Sequence, residues 1–308
     1  MKKLLTLCGF VLLSMSASAQ MFEPHVGIGV GVGTTGIAID ASATLNDYIG
    51  LRGGVDIMPK IKIDKDIDLK TEDANKKVSQ LTNEIKDLNQ KLAAAGMQQV
   101  DLNQYPGGNL PNKLDIQGKL DNTLGHILLD IHPFKTSFHL TVGAYFGKDE
   151  IISVYNKEDG YLSPINAYNA AILNATSATA DPGVKQVVNQ YNLKMIGGEL
   201  GDYFVTPNPA ENGNVKAYAK VKGFRPYVGL GFGRAVPKGR IGCQFDLGVQ
   251  FWGKPEIYIP TYDKTAGTYQ YEKIDGDKAG DDAGKVLKTV SKVSVYPVLN
   301  FRLVGRIF

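Results

Sequence analysis

Cysteine is almost missing. The chain has two in 308 residues, and only Cys243 lies outside the first 20, so no intramolecular disulfide is expected in the remainder. An excess of either charge is missing too. The 34 Lys and Arg stand against 31 Asp and Glu, and this balance gives no reason to expect nucleic acid as a partner. The patterns G-x-S-x-G, H-E-x-x-H and the P-loop do not occur, so no enzyme is expected on their account. Long apolar runs are absent: the longest, within residues 4–13, is far short of the roughly 18 residues of a spanning helix.

That run has a different meaning. MKKLLTLCGFVLLSMSASAQ has two lysines, an apolar stretch and a closing Ala17-Ser18-Ala19, the three parts of a secretory signal peptide. Cys8 follows Leu7 inside the apolar stretch, where a lipoprotein signal would need a small residue. Residues 1–20 are expected to be removed on export, leaving 21–308 as one near-neutral domain.

Glycine is plentiful, at 35 residues, and it sits in a repeating pattern. In RIGCQFDLGVQFW (240–252), Ile241, Cys243, Phe245, Leu247, Val249 and Phe251 alternate with Gly242, Gln244, Asp246, Gly248 and Gln250. A period of two is a strand. The same alternation marks 25–33, 36–45, 48–59, 123–134, 137–147, 224–236 and 293–308, which makes eight strands. Their connections are sorted by parity. Turns at 46–47, 135–136 and 237–239, which join even to odd strands, are short; of the connections at the opposite end only the first, 34–35, is short. The other connections, at about 61–121, 154–222 and 260–290, are long. An even number of strands, with short turns at one end and long loops at the other, marks an outer-membrane barrel; a soluble sandwich has no reason to sort its loops this way. The expected fold is all-β: an eight-stranded antiparallel up-and-down transmembrane β-barrel with long, partly helical extracellular loops. Its apolar faces would meet outer-membrane lipid.

The eight strands and the terminal VLNFRLVGRIF (298–308) resemble the small outer-membrane β-barrel family of the OmpA/OmpW type, over residues 21–60, 121–153 and 223–308. The stretch FRPYVGLGFGRAVPKGRIGCQFDLGVQFWG (224–253) is similar to members from gut-type Gram-negative bacteria. The resemblance implies the fold, an outer-membrane location and a terminal aromatic, Phe308, read by the barrel assembly machinery. It implies no activity. One departure stands out: strict alternation puts Phe308 on the face of Arg302 and Arg306 rather than with the lipid-facing set.

Eight strands enclose a space just wide enough for side chains. The inward set holds Asp40, Asp56, Asp130 and Asp246 with Arg52, Arg302 and Arg306. Unpaired charges there are costly, so Arg–carboxylate pairing is expected to close the lumen. The glycines of the first and sixth strands leave room for the long side chains. His132 and His139 flank one turn and could begin a metal site, but no third ligand is evident. Gly31-x-Gly33-x-x-Gly36 matches the dinucleotide fingerprint, yet a strand follows where a helix is required. DGDKAGDDAGK (275–285) resembles a calcium loop at Asp275, Asp277 and Asp281, but has Ala279 and Val286 where oxygen ligands belong. No cofactor or metal is expected.

In the loop after the third strand, Val78, Leu81, Ile85, Leu88 and Leu92 repeat at 3-4-3-4. That spacing predicts an amphipathic helix over 73–95, whose stripe either packs on another loop or meets a partner. SPINAYNAAILNA and GVKQVVNQYNL read as further helices. GDYFVTP and NVKAYAKVK read as a hairpin extending the wall. Two functions remain open. One is a closed barrel displaying a loop cap for adhesion, for an extracellular protein or glycan partner, or for envelope structure. The other is a narrow channel or transporter for small solutes, with a pocket beneath the cap near Trp252.

Overall fold

The computed structural model describes residues 25–105, 109–120 and 122–308; the expected signal peptide lies outside them. Eight strands close into an antiparallel barrel: β1 (His25–Gly33), β2 (Gly36–Asn46), β3 (Ile49–Ile57), β6 (Thr123–Ile131), β7 (Phe138–Gly147), β12 (Phe224–Phe232), β13 (Ile241–Phe251) and β16 (Val295–Arg306). The ring order is β1-β16-β13-β12-β7-β6-β3-β2, and β1 closes it on β16 with Gly27 opposite Arg306 and Gly33 opposite Asn300.

The pleat determines which side chains face outward. Along β12, for example, exposed and buried residues alternate almost without interruption. The sense is inverted relative to a soluble protein. Exposed positions include Ile28, Val30, Ile127, Leu230, Leu247 and Leu303, each between 42 and 58 % accessible. Buried positions are Asp, Arg, Gln, His and Thr as often as they are apolar. Between the ends of the barrel strands no outward position carries Asp, Glu, Lys or Arg.

The turns at 47–48, 132–137 and 233–240 lie at one end, the turn end, where β1 begins and β16 ends; the 34–35 hairpin lies at the other. At the other, the cap end, the wall continues as a second sheet. Its strands are β4 (Ile61–Asp68), β5 (Lys113–Leu120), β8 (Glu150–Asn156), β9 (Gly198–Leu200), β10 (Tyr203–Val205), β11 (Lys216–Lys220), β14 (Glu256–Asp263) and β15 (Thr268–Lys273). They pair in the order β4-β5-β8-β11-β14-β10-β9, with β15 on β14. The expected hairpin between 201–207 and 214–222 does not form: β11 pairs with β8 and β14, while β10 pairs with β9 and β14. These partners occupy the edges of both segments and leave neither free for the other.

Four helices complete the cap: α1 (Glu72–Ala94), α2 (Ser163–Thr176), α3 (Pro182–Gln190) and α4 (Asp281–Lys292). Val78, Leu81 and Ile85 of α1 are buried with Ile165, Tyr168 and Ile172 of α2 and Val184 and Val188 of α3. Burial in this core pushes the Tyr168 phenol up to about 12. The stripe of α1 is thus largely used within the cap. Leu88 is exposed and Leu92 only partly covered, so a partner face made of all five residues does not exist. The reason is competition: the apolar faces of α2 and α3 cover the first three.

Candidate functional site

The lumen is the candidate site, and it is filled in layers. Near the turn end Arg52, from β3, forks onto two carboxylates. It donates to Asp246 at 2.8 and 3.0 Å and to Asp130 at 2.7 Å. Asp130 also accepts from Thr141 at 2.8 Å and from the Gln244 amide at 3.0 Å. His139 Nε2 lies 2.9 Å from Asp246. Beside this cluster Arg302, from β16, donates through Nε to Asp40 at 2.7 Å, and its Nη2 also bonds that carboxylate. Its Nη1 donates to the Gln244 side-chain oxygen at 2.8 Å. Gln244 therefore joins the two guanidinium clusters, giving to Asp130 and accepting from Arg302. Both arginines are essentially inaccessible. Fork-to-carboxylate geometry of this kind is how a confined lumen accommodates guanidinium charge.

Ligand atoms of Asp130, His139 and Asp246 lie within 4.8 Å of one another, a spacing that a small cation could use. The guanidinium of Arg52 already bonds both carboxylates, so the positive charge of this site is supplied by the chain itself. His132 is not a fourth member. Its ring stands 5.3 Å from that of His139, centroid to centroid, and its Nδ1 faces the carbonyls of Thr136 and Phe138.

The lumen has a further wall that alternation does not show. The strand read as running through Val236 stops at Phe232, and within the following turn Ala235, Val236 and Pro237 point inward while residues 238–240 stay exposed. Gly233 takes φ 115°, and a Cβ there would fall 2.4 Å from the Cys243 carbonyl oxygen. Ala235, Val236 and Pro237 are buried. The Ala235 carbonyl accepts from Ser42 at 2.7 Å and from Arg302 at 3.1 Å. The turn thus closes onto the arginine layer from below.

Above that layer the lumen is apolar and aromatic. Leu124, Leu128, Tyr145, Tyr227 and Val298 form one buried cluster, with the Tyr145 and Tyr227 rings edge to face at 5.4 Å. Trp252, beside which a pocket beneath the cap was expected, lies against Tyr296, 4.9 Å between centroids, and donates to the Val293 carbonyl at 2.8 Å. Nearer the cap, Asp56 sits 3.1 Å from His126, and buried Arg225 donates to the carbonyls of Lys222 and Lys148 at 2.9 and 2.8 Å and to Asn122 at 3.3 Å.

Of the seven charges read as one lumen network, the structure brings together Arg52, Asp130, Asp246, Arg302 and Asp40. Asp56 stands apart with His126, because it lies higher on β3, opposite Leu124, where His126 meets the Tyr145 ring of the aromatic layer. Arg306 is not in the network. It sits at the turn-end rim, donates to the Lys238 carbonyl at 3.2 Å and lies 2.9 Å from His25, because β16 has by then reached the end of the wall. Gln244, Thr141, Ser42 and the Ala235 carbonyl were not singled out by sequence. Being neutral, they carry no pairing signal; their inward register was the only clue.

Phe308 is freed from strict alternation because β16 ends at Arg306. The Ile307 N–H still donates to Val26, Val26 donates back to the Phe308 carbonyl, and the Phe308 side chain is 72 % exposed. The segment 31–36 is the β1–β2 hairpin, with no helix for a dinucleotide. In the acidic loop Asp277 is paired with Lys288 at 2.5 Å and Asp275 accepts from the Asp277 N–H; the side chain of Asp281 lies outside the described residues.

The sequence matches no protein-family model and no curated protein. Among solved structures it is similar to CarO of Acinetobacter baumannii, at 13 % identity and TM-score 0.39, over 91 % of this chain and 96 % of that one. It is similar to CarO2 of the same organism at 13 % and 0.39, over 92 % and 98 %. A major outer membrane protein from Thermus thermophilus follows at 12 % and 0.32, over 92 % and 100 %.

Proposed function

We propose that this chain is an outer-membrane β-barrel protein of the small OmpA/OmpW type with a sealed lumen, which holds its folded cap outside the cell to engage a protein or glycan partner there. The belt supports the membrane reading. Strands of 9 to 12 residues suit the roughly 25 Å apolar band of such barrels. Water would leave this unbroken ring of Ile, Val, Leu and Phe uncovered, far beyond the few hundred Å² a soluble monomer tolerates. On this reading Phe308 is the terminal aromatic offered to the assembly machinery.

The observation that carries the sealed reading is the cross-section at Arg52 and Arg302. Both guanidiniums are tied to carboxylates from other strands, Gln244 joins them, and an inserted turn backs them. A solute path would have to break several charge-assisted bonds at once. The test is ion conductance of the refolded protein in a planar bilayer, with a heat-dependent gel shift as control for barrel formation. Wild type is expected to be silent. Arg302→Ala, or replacement of residues 234–239 by Asn-Gly, is expected to leak. Steady openings in wild type would overturn the sealed barrel in favour of a narrow channel.

A further inference from the structure

The outer wall changes character abruptly where the barrel becomes the cap. Phe146 and Phe224 are the last outward phenylalanines of β7 and β12, and their rings are neighbours at 5.4 Å between centroids. Two residues before Phe224, in the short link between β11 and β12, is Lys222, exposed next to buried Val221. Its side-chain carbons lie 3.1 Å from where a Cβ on Gly253 would be, so its stem lies against the connection that leaves β13. Lys220 follows, with Nζ 5.2 and 5.3 Å from the rings of Tyr218 and Tyr258. On β7 the residue two beyond Phe146 is Lys148, also exposed.

The sheet register extends this face around the wall. Tyr218 is opposite Ser153, Ser153 is opposite Lys119, and Lys119 is opposite Lys62. Lys119 and Lys148 also share one open hollow of about 210 Å³ with Glu150 and Ser153. The carboxylates nearest these lysines each hold another one: Asp64 holds Lys157 at 3.0 Å, Glu150 holds Lys216 at 2.8 Å and Glu256 holds Lys273 at 2.6 Å. Asp64 stands two residues from Lys62 on β4 and Glu256 directly opposite Lys220, while among the described residues Lys148 and Lys222 form no ion pair within 4.0 Å.

We infer that this lysine collar, set immediately outside the lipid belt, binds the phosphorylated headgroups of the lipid leaflet around the cap end. The inference rests on the membrane reading above. Continuity with the belt is what selects the occupant. Lys148 and Lys222 stand two residues beyond the last lipid-facing phenylalanines, Lys220 four beyond, and Lys62 five beyond Ile57; long lysine stems can reach back along the wall to headgroup depth. Lysine is a point-charge binder of phosphate, and the tyrosines between the lysines give the amphipathic rings that suit an interface.

The experiment uses the refolded protein in phosphatidylcholine vesicles with and without bis-phosphorylated lipid A. Retention of a fluorescent lipid A around the protein is measured by energy transfer from Trp252. The comparison variant is Lys62→Gln/Lys148→Gln/Lys220→Gln/Lys222→Gln. Wild type is expected to enrich bis-phosphorylated lipid A over its dephosphorylated form, by about fivefold for each lysine engaged. High salt and the variant are expected to abolish the enrichment, and free inorganic phosphate at millimolar concentration is expected not to compete. If the fourfold variant does not insert, Lys148→Gln/Lys222→Gln is read in its place, with at least a fivefold loss expected. Equal retention of the two lipid forms by wild type, or unchanged enrichment in the variants, overturns the collar. Competition by free phosphate overturns its assignment to a lipid. Failure of wild type to insert into phosphatidylcholine at all, with no heat-dependent gel shift, overturns the membrane reading instead.

Discussion

Arg302 reaches from β16 past β1 to Asp40 on β2, and it can do so because β1 is bare on that side. A Cβ at Gly29 would lie 2.3 Å from Arg302 Nε. Two expectations belong to this scale. Arg302→Ala leaves Asp40 buried without its partner and should cost about 3–5 kcal/mol, read as a lower urea midpoint in lipid vesicles. The double change Arg302→Met/Asp40→Leu removes both charges and should recover most of that loss; a double variant as unstable as the single one would show that the pair is not the origin of the cost. Gly29→Val should prevent the guanidinium from reaching Asp40 and reduce the heat-shifted folded fraction as much as Arg302→Ala does. A fully folded Gly29→Val barrel would mean that β1 has room to yield.

At the scale of elements, the cap sheet shows how charge decorates an edge. β4 is the terminal strand of its sheet, and all eight of its residues are exposed. Lys62, Asp64, Lys65, Asp66 and Asp68 alternate along it, the usual protection of a strand with an unpaired edge. The Gln117 amide, and then Lys157, hold the Asp64 carboxyl below its ordinary range. A depressed carboxyl contributes order that is fully present above its unfolded value and is lost as pH falls through the folded one. Amide protection of β4 and β5, corrected for intrinsic exchange, should therefore hold from neutrality down to about pH 4 and decline below it. Asp64→Asn should flatten that decline. Equal protection at pH 3 and pH 6 in wild type would show that the edge does not depend on this pair.

At the scale of the whole molecule, the exterior decides the solvent. Leu247 is 48 % exposed near the middle of β13, flanked on the same outer face by Leu230 and Leu299, which are exposed as well. In a bilayer, Leu247→Arg should cost about 2–4 kcal/mol, measured as loss of the heat-shifted form in vesicles; in a water-soluble barrel it would cost nothing. Equal folding yields for wild type and variant would remove the lipid from the account. The cap is a different kind of object. Its core is a conventional one, with α1, α2 and α3 burying apolar residues against one another, so truncating Leu81 there should loosen the cap without opening the barrel.

What could be read without coordinates follows from period two. Alternation along 241–251 or 295–306 assigns each side chain to one of two faces whatever the partner strand is, and the ordering of loop lengths tells the ends apart. The eight barrel strands and the inward Arg and Asp residues were legible for that reason, and the α1 stripe from its own 3-4 spacing. Only tertiary structure could decide which inward charges share a level: that depends on the stagger between strands, and stagger separated Asp56 and Arg306 from the other five. It also decided that Ala235, Val236 and Pro237 fold into the lumen, because a positive φ at Gly233 leaves no periodic trace. The recruitment of β10 and β11 into a sheet with β8 and β14 was hidden for a related reason. Short strands carry too little alternation to name a partner, and pairing is settled by whichever edge the barrel wall presents.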